Sequence, residues 1–549
     1  MKRLLCLLLT LCCTLPLAAC AGLNKPLETI DSTADLTTPA PEDTTLPDEQ
    51  DVTTEPNDSD SESDSDVTTE PIDPPEIDPV TGDNVVDLEG YTYNAYVYVH
   101  SGSSAFHCED FWVETASKDV LSYAVYARNH AIEEAYNCRI RQYDSEGSQY
   151  VGMTRFYFNN EKYELAILLG ADAAVCSTTS LLQDIYTLEN IKLEHAAYDQ
   201  NAIQDFTMGG KLYFISGDMN IAPLDSAAIT IFNPDLFAKY DFVELCGNEA
   251  YDDLYEMVED GTWTVSAMLE MAEEVNVDAD KNGILTASKG DTVGYLSYSA
   301  TPMYYWYGCG ARVSTTDPTS GYPTLTFGTE SDKALFDFLF DSINNKKEGN
   351  QWIPNGGGGY RNGEFMADQL LFTDIILWDV RKVLHPQDKA NYGILPTPKY
   401  NAAQERYYDL VYWPYGTTWL WSIPVLCENV DKASFMLHLM AQYSNASDGT
   451  MQAYFEKALC KSATPDNGSR KTIQTVRNSL TYDYFLLYNW GDFIQSLIEG
   501  IDTEDKNLYE ETVTKKNLEN AVKDMNLTLD RFKNPITPQP PENTKNNPA

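Results

Sequence analysis

From about Asp87 onward, apolar residues alternate between two spacings. Short runs of β-branched and aromatic residues predict strands at Tyr91–His100 (YTYNAYVYVH), Arg139–Tyr143 and Tyr163–Gly170 (YELAILLG). Between them, apolar residues three and four apart predict helices over Ser117–Asn137, Thr179–Leu188, Tyr251–Val258 and Val265–Val275. Thr264 stands where an N-cap belongs for the last of these. Further helices are expected at Val430–Tyr443, Gly449–Phe455 and Leu508–Phe532. Strands and helices interleaved in this way predict an α/β fold.

Gly209–Asn233 (GGKLYFISGDMNIAPLDSAAITIFN) organises the rest. Two strand-like pieces, Lys211–Ser216 and Ala227–Phe232, flank a polar break containing Gly217, Asp218, Asn220, Pro223 and Asp225. This reads as chain leaving one lobe, passing a hinge and entering a second lobe; a long hairpin would give the same pattern. Pro234 suits the first turn of a following helix, where a missing N–H costs nothing. Phe365–Phe372 (FMADQLLF), Ile375–Arg381 (IILWDVR) and Tyr392–Lys399 (YGILPTPK) read as the return passage. There Pro396 and Pro398 keep the chain extended.

The segment before Asp87 is of another kind. Lys2 and Arg3, then the apolar run Leu4–Leu17, read as an export signal over residues 1–19, too short for a membrane span. Leu17-Ala18-Ala19-Cys20 looks like a bacterial lipobox, with Cys20 the lipidated residue; a plain secretory signal with an incidental Cys is the alternative. Residues 20–85 read as an acidic, disordered tether, with Asp58–Asp66 (DSDSESDSD) repelling itself into extension. At 549 residues two or three folded units are expected, and a net charge of −47 argues against a nucleic-acid partner. The 11 Cys include no zinc-type spacing and read mainly as buried small hydrophobes.

Aromatic content is 12%, and several aromatics are candidates for stacking on a ligand ring. Tyr304 and Trp306 share a face if Thr301–Gly308 (TPMYYWYG) is extended. Trp378 lies on a strand-like run, while Trp413 and Tyr415 flank Pro414 in a loop; Trp419 and Trp421 alternate as core residues of a strand. Core packing competes with stacking for Tyr304, Trp306 and Trp378. Asp278-Ala279-Asp280-Lys281-Asn282-Gly283 has the spacing of a calcium loop, but Lys289 stands where the closing Glu belongs, and an Asx-rich turn reads equally well. Gly356–Gly359 lacks the Lys-Ser/Thr of a phosphate loop. There is no G-x-S-x-G, H-E-x-x-H or P-loop, and only 6 His.

These motifs together resemble the extracellular solute-binding proteins of ABC importers, the carbohydrate-type family that includes maltodextrin-binding protein. The carriers are GKLY with a polar hinge and a strand ending in FN, D-G-x-W-T before the Val265 helix, YGILPTPK, and Y-x-R-N-x-x-I-E-E-x-Y-N at Tyr126–Asn137, as in clostridial members. The resemblance implies a two-lobed type 2 periplasmic-binding-protein fold with mixed sheets. It divides the chain into lobe 1 (86–221), lobe 2 (222–395), a lobe 1 return (396–445), a helical part mainly in lobe 2 (446–533) and a disordered tail (534–549). Ligand contacts would come from Asp218, Asn220, Tyr304, Trp306, Trp378, Trp413 and Tyr415. Asp291-Thr292-Val293-Gly294 would complete a structural calcium site with Asp278, Asp280 and Asn282; no cofactor is otherwise required. The implied function is capture of a sugar or other small solute for an ABC permease. It would be performed without catalysis by a monomer lipid-anchored on the outer face of a bacterial membrane. An anchored glycoside hydrolase or a glycan-adhesion lipoprotein is the alternative.

Overall fold

The longer strands between Tyr91 and Ser422 bury apolar faces in two mixed sheets in the computed structural model. It describes residues 76–99, 108–145, 147–298, 300–344, 350–353, 363–384, 391–411, 418–459, 467–492, 507 and 517–538. In the first sheet β1 (Tyr91–Val97) lies between β2 (Cys138–Asp144) and β3 (Leu165–Leu169), parallel to both. In the second, β4 (Ala228–Phe232) and β5 (Val293–Tyr298) are separated in the chain from β8 (Asn350–Ile353), β9 (Leu370–Ile376) and β10 (Gly393–Pro396). A short hairpin, β6 (Ser314–Thr316) and β7 (Pro323–Leu325), intervenes. The sheet order is β10-β4-β9-β5-β8. β5 is parallel to β8 and β9, while β4 runs against both of its neighbours. Beyond β11 (Asp409–Leu410), β12 (Trp419–Ser422) completes the first sheet antiparallel to β3, and β13 (Leu480–Thr481) pairs with β11.

The chain therefore starts one sheet, crosses to build the other, and returns. The outward crossing is Ser216–Ala228. The return comes later than Pro396: that residue pairs with Ile229 inside the second sheet, and its carbonyl accepts Trp263 Nε1–H at 2.9 Å. Gln404 still bonds the Gly308 carbonyl, and among the described residues first-sheet pairing resumes at Trp419. The helix Asn467–Asn478 seats on β10, where Ser469 Oγ accepts the Ile394 N–H. Residues 72–549 form one compact unit, so the two sheets are held in contact rather than on free linkers.

Local chemistry sets the helix starts. Thr264 Oγ1 accepts the Ala267 N–H and begins Val265–Val275; Asn233 caps Pro234–Phe237, with the proline in the first turn. Other segments depart from expectation. Thr179–Leu188 forms only a 3-10 turn at Ile185–Thr187, because Asp184 Oδ1 takes the Tyr186 and Leu212 N–H groups and Leu182 bridges to Pro424. Lys211–Ser216 makes isolated bridges, at Lys211 and at Ile215 to Trp421, instead of a ladder. Trp378 is not on a strand: β9 stops at Ile376 and Leu377–Asp379 coil into a helical turn. Within the expected C-terminal helix Leu508–Phe532, Leu518–Lys533 is helical and residues 508–516 lie outside the described set.

The second core is built around a charge-bearing group. Asp374 of β9 is buried and accepts Tyr295 Oη–H (2.5 Å), Thr230 Oγ1–H (2.9 Å), Tyr305 Oη–H (3.0 Å) and Thr301 Oγ1–H (3.0 Å). Burial pushes its pKa up and the hydroxyl donors oppose this. Tyr305 and Thr301 sit on the helix Thr301–Gly308, whose every residue is buried. A helix apolar all round has no solvent face to offer, so it packs as a plug and not as an extended cleft wall. Substituting Asp374→Ala strands up to four buried hydroxyls. Urea unfolding should show a loss of about 3 kcal/mol or more, with a smaller loss for Asp374→Asn. An Asp374→Ala protein as stable as wild type would show that these hydroxyls have other partners.

Candidate functional site

The parallel strands β1 and β3 end at Val97 and Leu169, and β5 and β9 end at Tyr298 and Ile376. In α/β sheets, ligand-contacting groups gather just beyond such carboxyl ends. Here the two edges are tied to each other. Glu109, in the segment after β1, pairs with Arg381 Nη1 at 3.1 Å and Lys382 Nζ at 2.7 Å, both just past β9. Phe111, two residues on, packs edge-to-face on Trp421 of β12, which fixes this segment to the first sheet. Arg381 also grips Asp225 of the crossing through Nε and Nη2, and Asp225 accepts Tyr454 Oη–H at 2.6 Å. Burial pushes the Glu109 carboxyl up, but the adjacent Arg381 and Lys382 outweigh it and hold the group below its usual range. Trp378 stands at this edge, half-buried, three residues before Arg381.

A cavity of about 510 Å³ lies along the crossing and shares no lining residue with the Trp378 edge. One wall is Asp199–Asn201 with Ser216, Gly217, Asp218 and Asn220, and another comes from Gln474, Arg477 and Asn478 at the end of the helix seated on β10. Asp218, 5% exposed, accepts Arg477 Nη2–H and Asn445 Nδ2–H, both at 2.5 Å. Its own N–H reaches the Ala197 carbonyl at 2.7 Å. Gly217 makes that approach possible, since a Cβ there would lie 2.0 Å from the same oxygen. Burial raises the Asp218 pKa, against the pull of Arg477. Asn220 is spent internally: Nδ2 donates to the Trp419 carbonyl at 2.6 Å and Oδ1 accepts the Ala222 N–H.

The structure thus separates the residues expected to share one ligand site. Asp218 and Asn220 border the crossing cavity, while Trp378 stands at the strand edge. Tyr304 and Trp306 are at most 1% exposed inside the Thr301–Gly308 helix. Trp413, Tyr415 and Cys20 lie outside the described residues. Asp278, Asp280 and Asp291 converge, each offering a carboxylate oxygen within 4.8 Å of the others. Asp278 also accepts the Asn282 and Gly283 N–H groups, and Asp291 those of Ala279 and Thr286. Asn282 turns its side chain to Asp280 and to the Ile284 N–H. Arg128 is structural, donating to the Asp110 and Phe111 carbonyls. Sequence reasoning missed Glu109, Arg381, Asn445 and Arg477. Arg381 is marked only by its place three residues after Trp378, and nothing local pairs Asp218 with a residue 259 positions away.

No protein-family model matches this sequence, and no curated protein matches it. Solved structures do. The cyclo/maltodextrin-binding protein complexed with maltotetraose is similar with a TM-score of 0.52 at 12% identity, over 80% of this chain and 98% of that one. The cyclic α-maltosyl-1,6-maltose binding protein from Arthrobacter globiformis gives 0.50 at 11% identity, over 80% and 99%. At such identities the likeness establishes the fold: this chain has the type 2 periplasmic-binding-protein fold with mixed sheets.

Three buried acids, Asp409, Asp205 and Asp483, make stability depend on pH. Burial pushes Asp409 up to about 7, against the donors Ser479 and Thr397; Asp205 is raised to about 7 and Asp483 to about 6, also by burial. In the unfolded chain such a group ionises near 3.8. Between the two values the unfolded state loses a proton that the folded state keeps. The contribution to stability is full below the lower value, falls as pH rises towards the upper one, and is level beyond it. Asp409→Asn removes one such group while keeping an acceptor for the Thr397 N–H. Its stability should fall less than that of wild type between pH 5 and 8, by about 1–3 kcal/mol in denaturant titrations. Identical slopes would show that Asp409 ionises normally in the fold.

Proposed function

We propose that this chain is a non-catalytic receptor that captures a carbohydrate between its two sheets. The carrying observation is the pair of facing strand edges, tied by Glu109 to Arg381 and Lys382 with half-buried Trp378 beside them, in a fold shared with a maltotetraose-bound protein. An aromatic face at such an edge offers apolar area to the C–H face of a sugar ring, and nearby charged groups offer bonds to hydroxyls. Lipidation of Cys20, an extracellular place at the membrane and delivery to an ABC permease complete the reading. Support comes from the sequence alone: the lipobox-like run Leu17-Ala18-Ala19-Cys20 and the acidic composition of residues 20–85. Trp413 and Tyr415 are retained as candidate ligand contacts.

Maltodextrins titrated into the protein should change Trp fluorescence and be recovered intact. Trp378→Ala should weaken binding by about 1–3 kcal/mol, the worth of one buried side chain. Cleaved sugar would convert the reading to a hydrolase; unchanged affinity with a lower melting temperature would make Trp378 a packing residue.

We also propose a structural calcium ion at Asp278, Asp280 and Asp291. Carboxylate oxygens are the hard donors that calcium takes, and their convergence in one loop supports the fit. The ion would cross-link the loop after Val265–Val275 to the start of β5. EDTA should then lower the melting temperature and added calcium restore it; a melting curve indifferent to both would leave only an Asx-rich turn.

A further inference from the structure

The crossing cavity has a chemistry of its own. Its volume, about 510 Å³, falls in the range of small-molecule sites, roughly 300–1,000 Å³. Three amide side chains in its walls have their nitrogens engaged. Gln200 Nε2 donates to the Leu193 and Tyr198 carbonyls, Asn201 Nδ2 to the Asn478 carbonyl, and Gln474 Nε2 to Asn478 Oδ1. Their carbonyl oxygens have no partner among the described residues and remain as acceptors. Arg477 uses Nη2 on Asp218, and its guanidinium has further N–H donors to give. Leu224, Met451 and Leu480 add apolar lining.

We propose that this cavity is a second binding site, for a neutral polyhydroxylated molecule of monosaccharide size. Hydroxyls both donate and accept, which matches a wall holding free acceptors and guanidinium donors together. Asp218 and Arg477 cancel each other's charge. A cation entering would meet Arg477, and an anion would meet Asp218 and the neighbouring Asp199. An uncharged guest avoids both penalties. Because the walls come from the crossing and from the helix on β10, the guest touches both halves and favours the angle that fits it, so occupancy is coupled to events at the Trp378 edge. The site stands apart from the sugar-receptor reading, since no residue lining the cavity is at that edge.

D-glucose and myo-inositol, titrated by calorimetry into the full-length Trp378→Ala protein, test this with the strand edge disabled. Saturable binding is expected, weakened about tenfold or more by adding Gln474→Leu or Arg477→Lys, with melting curves confirming that each variant folds. Asn201→Leu should act likewise through the opposite wall. Binding that is lost with Trp378→Ala alone would leave the receptor reading intact and overturn this one. So would affinities indifferent to Asn201, Gln474 and Arg477, or tighter binding of acetate or methylammonium than of either polyol.

Discussion

An acid sealed in the second core, with hydroxyls as its partners among the described residues, constrains much of what surrounds it. Moving such a group from water into a packed interior is tolerable only when its lone pairs are occupied. Asp374 meets that condition with hydroxyls from β4, β5 and the Thr301–Gly308 helix. All four donors must be in register at once, so the strand order β4-β9-β5 and the docking of the helix are fixed together. β9 then emerges from this clamp directly into Trp378 and Arg381. The position of the strand edge is thus inherited from a polar knot two residues inside the sheet.

The same economy governs the contacts between halves. Arg and Lys together number 37 against 84 acids, so each cation placed at the interface is surrounded by candidates to neutralise it. Arg381 answers two carboxylates from different parts of the chain, and Arg477 answers a third. These pairs are partly or wholly withdrawn from water, where removing one partner is far more disruptive than at an exposed site. They define one arrangement of the two sheets while remaining separable, which a purely apolar seam of the same area would not be.

Much of the fold was legible because it was written in local patterns. The Val265–Val275 helix with its Thr264 cap, the strands around Tyr91 and Leu165, and the outward crossing at Gly217–Ser226 each follow from spacing or turn chemistry within a dozen residues. Less was legible at the site. Tyr304 and Trp306 look like a stacking platform because a run of aromatics does not reveal its backbone; in the fold the run coils and is buried. Pro396 reads as the return passage because prolines mark extended chain. Yet an edge strand also tolerates proline, and β10 is the edge of its sheet. Charge pairs such as Glu109 with Arg381 leave no trace in one sequence, since their members are far apart and acids are everywhere.

The outward-and-back path has a consequence for how the protein comes into being. Leu169 and Trp419, paired in the first sheet, are about 250 positions apart. During synthesis the earlier strands wait with one edge uncovered until the later one has been made, and loop-closure entropy delays the pairing further. The first sheet is therefore completed only after every strand of the second has been made. The path also means that a single nick in the outward crossing does not free the first sheet, because β12 lies on the far side of the cut from β1, β2 and β3.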